Sequence, residues 1–330
     1  MYISPSHAVN RAGYQWKKRA VRPCEMRQTA FTIVELLVVI AVIGVLLSLV
    51  LPAVQAAREA SRRVSCQSNL RQIAVATSGF VVANRRFPPG QCGGNYGFGP
   101  DSRSWSWLAR LLPYLELEPV YDEGGIPTQT LRDSRIADRR IGVFLCASDS
   151  DTQGPPRIDA GNLAGFSVGH TNYKAVSGAN WGADESQGLS DIGTSWPNPG
   201  TNGSNDGHSR GDGIMWRNDI TWKLGPQNVT DGLSKTLMIG EDVPEKNRWC
   251  SWPYANNAYG TCAIPPNFTC PDTNWWPDTH SFRSNHPNGL NFALADGSVH
   301  FIEDTISLDV YRALATRAGK ESVQQVGSGP

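Results

Sequence analysis

Beyond residue 30 this sequence has no block of like charge, so a nucleic-acid-binding patch has nothing to stand on. No G-x-S-x-G, H-E-x-x-H or G-x-G-x-x-G falls in the strand-and-helix context those motifs need. Gly232-Leu233-Ser234-Lys235-Thr236 lacks the first Gly and the Gly-Lys step of a phosphate loop. No C-x₂₋₄-C pair marks a zinc site. The oxygen-rich stretch Gly200–Gly213 lacks the opening Asp and closing Glu of an EF-hand and reads as a solvated loop. These absences predict a chain that is no enzyme, with no cofactor, no metal and no catalytic residue.

What is present begins with one apolar run. From Leu36 to Val54 only Gly44, Ser48 and Pro52 interrupt it, and its length suits a hydrocarbon core of about 30 Å. Glu35 stands at its mouth. A charge costs roughly 2.5–3.5 kcal/mol at the centre of such a helix, so an acid here asks for a function. In the first turn the carboxylate also meets the positive end of the helix dipole. A secretory signal would have a shorter apolar core and an A-x-A-like site after it. Here the run continues into Gln55-Ala56-Ala57-Arg58-Glu59. A plain anchor leaves Glu35 unexplained, and a soluble core helix would be striped where this one is apolar all round.

Residues 1–30 carry six basic side chains (Arg11, Lys17, Lys18, Arg19, Arg22 and Arg27) and one acid, Glu25. A positive flank keeps the N-terminus cytoplasmic and sends the rest outward. Without this segment, 24 basic and 29 acidic residues remain, a net charge of −5. Met26 would begin a compact leader, and translation is expected to start there. Six cysteines remain on the outward side: Cys66, Cys92, Cys146, Cys250, Cys262 and Cys270. Disulfides persist outside the cytoplasm, and six cysteines allow 15 connectivities that sequence does not rank. Cys250, Cys262 and Cys270 lie close together and are expected to staple a Trp- and Pro-rich loop.

Ala30-Phe31-Thr32-Ile33-Val34-Glu35 resembles the N-terminus of type IV prepilins and pseudopilins. The resemblance implies cleavage by a prepilin peptidase between Ala30 and Phe31 and methylation of the new amine. It also implies pairing of Glu35 with a neighbouring copy's terminus during assembly, and a helix kink at Pro52. The stretch from Leu51-Pro52-Ala53-Val54-Gln55 to Asn69-Leu70-Arg71-Gln72-Ile73 resembles the bacterial family called domain of unknown function 1559. So do Leu112-Pro113-Tyr114, Phe144-Leu145-Cys146, Asn172-Tyr173-Lys174 and Thr230–Thr236. His286, Asp296 and Gly297 match that family's H-x(9)-D-G signature. Cys146-Ala147 departs from its usual Cys-Pro. His286 and Asp296 could form a metal or acid–base pair. The reading preferred here is structural, with Asp296-Gly297 in a type I′ turn and His286 satisfying backbone groups.

Apolar periodicity through Val54, Ala57, Ser61 and Val64, then Leu70, Ile73, Thr77 and Phe80, predicts one helix from about Thr32 to Asn84. Trp105 to Leu115 suggests a short helix. Ile141–Leu145 and Thr236–Glu241 suggest strands, and Leu290–Ala295 with Ser298–Ile302 a hairpin. Ser307 should cap a last helix. Ten tryptophans remain beyond Trp16, and bracing of a loop-rich head is favoured over glycan or partner binding.

The expectation is an α+β, pilin-like fold, with a long N-terminal helix packed on an antiparallel sheet. Residues 1–30 form a leader, 31–52 a transmembrane and assembly segment, 53–86 an amphipathic helix half, and 87–330 an extracytoplasmic head. Expected partners are prepilin peptidase, copies of itself or related subunits, and the membrane. The expected role is a filament or secretion-fibre subunit, held as a single-pass inner-membrane protein before assembly. The alternative is a membrane-anchored binding protein.

Overall fold

The computed structural model describes residues 32–93, 97–150, 152, 154–182, 192–202, 204 and 206–321. The leader, Ala30, Phe31 and the Met26 start lie outside these residues. The contacts divide the chain into one unit ending at Val54 and a second beginning at Gln55.

Helix α1 runs over Ile33–Asn84 and contains Pro52. In the first unit every described residue is exposed. This part of α1 is long and apolar enough to cross a bilayer. Ser48 satisfies its hydroxyl inside the helix by donating to the Val45 carbonyl at 2.8 Å.

In the second unit, the face of α1 that the head covers is Glu59, Arg63, Cys66, Leu70, Ile73, Thr77 and Phe80, spaced alternately by four and three. This corrects the expected stripe in its first half. Val64 is 64% exposed and Val54 40% exposed, and Ala57 and Ser61 are exposed too. The true face opens with charged residues, so apolar periodicity misses its first turns. Arg63 lays its guanidinium 3.4 Å from the ring centroid of Phe301, a cation–π contact that lets an arginine serve as a packing residue.

Short helices follow: α2 (Trp107–Leu111), α3 (Glu118–Glu123) and α4 (Leu131–Ser134). The Ser106 side chain caps α2 by accepting from the Ala109 N–H. Ile141–Leu145, expected as a strand, is instead a 3₁₀ turn over Gly142–Phe144. A run this short and apolar fits either form, and periodicity alone does not separate them.

The sheet comprises β1 (Tyr173–Val176), β2 (Leu237–Glu241), β3 (Tyr259–Gly260), β4 (Gly289–Leu294) and β5 (Val299–Glu303), in the order β3-β1-β2-β4-β5. The α+β class holds. Four strands pair antiparallel, but the two-residue edge strand β3 lies parallel to β1, so the sheet is mixed. The β4–β5 hairpin forms as expected, with Phe292 opposite His300. Its turn differs from the expected type I′, because Gly297 has φ +87° and Asp296 does not share the positive φ that type requires. The Gly297 N–H donates to Leu294 and the Leu294 N–H to Ser298, as in a three-residue loop with a left-handed glycine. Helices α5 (Trp276–Thr279) and α6 (Leu308–Ala313) complete the head. Ser307 precedes α6, but its side chain makes no cap bond.

Four tryptophans brace loops. Trp105, Trp107, Trp181 and Trp252 are buried. Their indole N–H groups donate to the carbonyls of Gln129, Ala258, Pro277 and Arg139 respectively. Each contributes a large apolar surface and one hydrogen bond to a backbone carbonyl. The Gly200–Gly213 stretch is not the solvated loop expected. His208 and Asp212 are buried, and the Asp212 carboxylate accepts from the N–H groups of Ala179, Asn180 and Thr201. Burial raises the Asp212 pKa, and those backbone donors oppose the rise.

Candidate functional site

The helix mouth is the first candidate. The Thr32 hydroxyl accepts from the Glu35 N–H at 3.3 Å. The Glu35 carboxylate in turn accepts from the Thr32 N–H at 2.9 Å and from its hydroxyl at 2.8 Å. This is a capping box, in which two residues three apart satisfy each other's orphan donors. Thr32-x-x-Glu35 carries that pattern in the sequence. The acid therefore already has a role within its own chain, at a helix start where a negative charge is favourable.

The second candidate lies in the head, where α1 crosses the sheet. Cys66 on α1 and Cys146 form a disulfide. Against it lies His286, fully buried at its side chain, between two glutamates. Its Nδ1 is 2.7 Å from Glu59 Oε1 on α1, and its Nε2 is 3.6 Å from Glu241 Oε1 on β2. Ser148 Oγ adds a contact to Nδ1 at 3.2 Å. Burial opposes protonation of His286, but the two carboxylates outweigh it and raise the pKa above the ordinary 6.5. Burial also works against ionised Glu59, yet His286, Ser148 and Arg62 together lower its pKa below 4.5. The His286 ring, set between Glu59 on α1 and Glu241 on β2, thus ties the helix to the sheet.

His286 and Asp296 do not come together as a pair. Asp296 sits on the hairpin and accepts from the Ser298 N–H and hydroxyl. His286 satisfies side chains where backbone groups were expected. Cys66, Cys146, Glu241 and His286 place one ligand atom each within 4.8 Å of one another. The two sulfurs are joined, however, and thiolate rather than disulfide sulfur is the metal ligand.

The other cysteine expectations are corrected. Cys92, Cys250, Cys262 and Cys270 are buried free thiols, and the expected staple among the last three does not form. Cys250 instead lies 3.3 Å from Asp242 Oδ2. Burial pushes the thiols of Cys92, Cys250 and Cys262 up in pKa, which keeps them protonated and inert. Closeness in sequence does not make these cysteines a pair, and a loop braced by indoles needs no covalent staple.

A buried ion triad beside this cluster was not anticipated. Asp242 lies between Lys174 Nζ and Arg283 Nη1, each at 3.1 Å, and all three side chains are at most 1% exposed. Burial would raise the Asp242 pKa, but Lys174 and Arg283 prevail and lower it. Asn247 donates to the same carboxylate. The Asn172-Tyr173-Lys174 segment serves this region throughout. Asn172 accepts from the Cys146 N–H, and the Tyr173 hydroxyl donates to the Cys66 carbonyl at 3.0 Å.

An exposed apolar helix segment opening on an acid, in a chain whose α+β head is stapled by Cys66–Cys146, defines a membrane-anchored protein of the type IV pilin-like class. The Prokaryotic N-terminal methylation motif matches residues 26–51. The motif marks the chain for a prepilin peptidase and for the membrane. The chain belongs to the family described as Protein of unknown function (DUF1559), whose model matches residues 55–309. No curated protein and no solved structure matches it.

Proposed function

We propose that this chain is a pilin-like or pseudopilin-like structural subunit, cut before Phe31 and assembled through its N-terminal helix into a filament or secretion-type fibre. Before assembly it is a single-pass inner-membrane protein with its head outside the cytoplasm. Its chemistry is that of assembly, with no turnover of its own. The observation that supports this most is Glu35 at the mouth of an exposed apolar helix that also carries the methylation motif. A neighbour's freed Phe31 amine meeting that carboxylate would set the axial register between subunits. Apolar packing alone specifies register poorly.

The capping box makes this testable with two substitutions. Gln at the third helical position still closes a capping box, whereas Ala does not. If charge pairing drives assembly, Glu35→Gln and Glu35→Ala are both cleaved and inserted, and both fail to form fibres. Fibres from Glu35→Gln in sheared surface fractions, seen by negative-stain microscopy, would reduce Glu35 to a helix cap. Mass spectrometry of the mature N-terminus checks cleavage and methylation on the same material. The second reading, a membrane-anchored binding protein, draws on a cavity in the head.

A further inference from the structure

That cavity encloses about 310 Å³ in the head, at the small end of the roughly 300–1,000 Å³ of small-molecule sites. Three indoles line it: Trp181, Trp249 and Trp276. They gather around the His280 ring, with centroids at 5.8, 5.0 and 6.3 Å respectively. Trp276 is 38% exposed while Trp181 is buried, so the aromatic lining extends from the interior to the surface.

Beside Phe98 and Ile192, the rest of the lining is polar and already ordered. Arg217 donates to Asn256 Oδ1 at 3.0 Å and lies 3.5 Å from Asp206 Oδ2. Asn256 contacts Asn162 Oδ1 at 3.4 Å. These groups offer planar donors and acceptors held by one another before any ligand arrives, which lowers the ordering cost of binding. His208 and His280 line the cavity too, with centroids 4.4 Å apart. Among the described residues His208 Nε2 and His280 Nδ1 have no hydrogen-bond partner. A buried polar atom left so needs an explanation, and a ligand or water is a common one. Burial holds both imidazoles well below the usual pKa, so they are neutral. One arginine and one aspartate then balance, so the cavity carries no net charge among the described residues.

Indole faces carry negative quadrupole density and attract the slightly positive C–H edges of a saturated ring. Hydroxyls both donate and accept, which matches a lining of amides, guanidinium and carboxylate. An ionised ligand would leave unbalanced charge in a partly buried space. We infer that this cavity binds an uncharged saccharide unit, its ring against the indoles and its hydroxyls on Arg217, Asp206 and Asn256.

The test uses the full processed chain in detergent, with tryptophan fluorescence and isothermal titration. The probes are D-glucose, N-acetyl-D-glucosamine and maltose, set against D-glucuronate, glucose 6-phosphate and L-tryptophan. Saturable binding of at least one uncharged sugar is expected with a Kd of about 1 mM or tighter. Trp276→Ala should weaken it about tenfold or more, and Arg217→Lys should weaken it by losing the planar fork. Trp222→Ala, an exposed indole outside the cavity, should leave it unchanged. Thermal unfolding of each variant separates lost binding from lost fold. No saturable binding by any uncharged sugar would overturn the inference. So would tighter binding of a charged probe or of L-tryptophan, or undiminished affinity in a folded Trp276→Ala.

Discussion

His286 shows how one side chain can matter through its neighbours. Its pKa is raised in the folded chain, so its contribution is complete below its unfolded value of 6.5 and fades as pH climbs through the folded one. The lowered pKa of Glu59 acts oppositely, contributing above 4.5 and fading as pH falls through its folded value. Together they should support the head most between about pH 4.5 and 6.5. Urea unfolding against pH should show that maximum, and His286→Gln should flatten it at a cost of about 1–3 kcal/mol. Superimposable pH profiles would deny His286 this role. Asp242→Asn should be harsher, about 3–5 kcal/mol, because two buried cations lose their anion. Asp296→Asn should change little, since its bonds are local and exposed. The two ends of the H-x(9)-D-G signature thus carry unequal weight. Pattern matching could show the signature but not the partners of its histidine, because Glu59 lies 227 positions away.

Among the elements, α1 was the most legible. Its boundaries follow from Thr32 at one end and from Phe87-Pro88-Pro89-Gly90 beyond the other. The hairpin was legible from Asp296-Gly297. Strands β1 and β3 were not: β1 buries Lys174, and β3 is only two residues long. Their pairing rests on distant partners that no local pattern encodes. The helix face also separates two predictions. Leu70→Ala should cost the head about 2–5 kcal/mol, whereas Val64→Thr, on the exposed side, should stay within about 0.5 kcal/mol. Equal losses by thermal unfolding would mean the covered face is misplaced. Replacing Cys66 and Cys146 together by Ser opens a link between positions 80 apart. A loop of that size corresponds to about 4–5 kcal/mol of chain entropy. Chemical denaturation of the double variant should approach that loss, and an unchanged midpoint would make the staple idle.

At the scale of the molecule, the class was readable because it rests on an N-terminal segment whose chemistry is local. The head was readable only in outline, since its core is assembled from long-range contacts among short pieces. The cavity was invisible for the same reason: Trp181, Arg217, Trp249 and Trp276 meet only in three dimensions. Composition pointed to the tryptophans, and four of them brace the head through both burial and an indole hydrogen bond. The few left at the cavity are those that a bracing role does not exhaust.

The four sealed thiols make the head a gauge of its own maturation. A bulky maleimide should leave Cys92, Cys250, Cys262 and Cys270 unmodified in finished molecules and tag them in unfinished ones. Secretory quality could then be counted, sulfur by sulfur, from a gel shift.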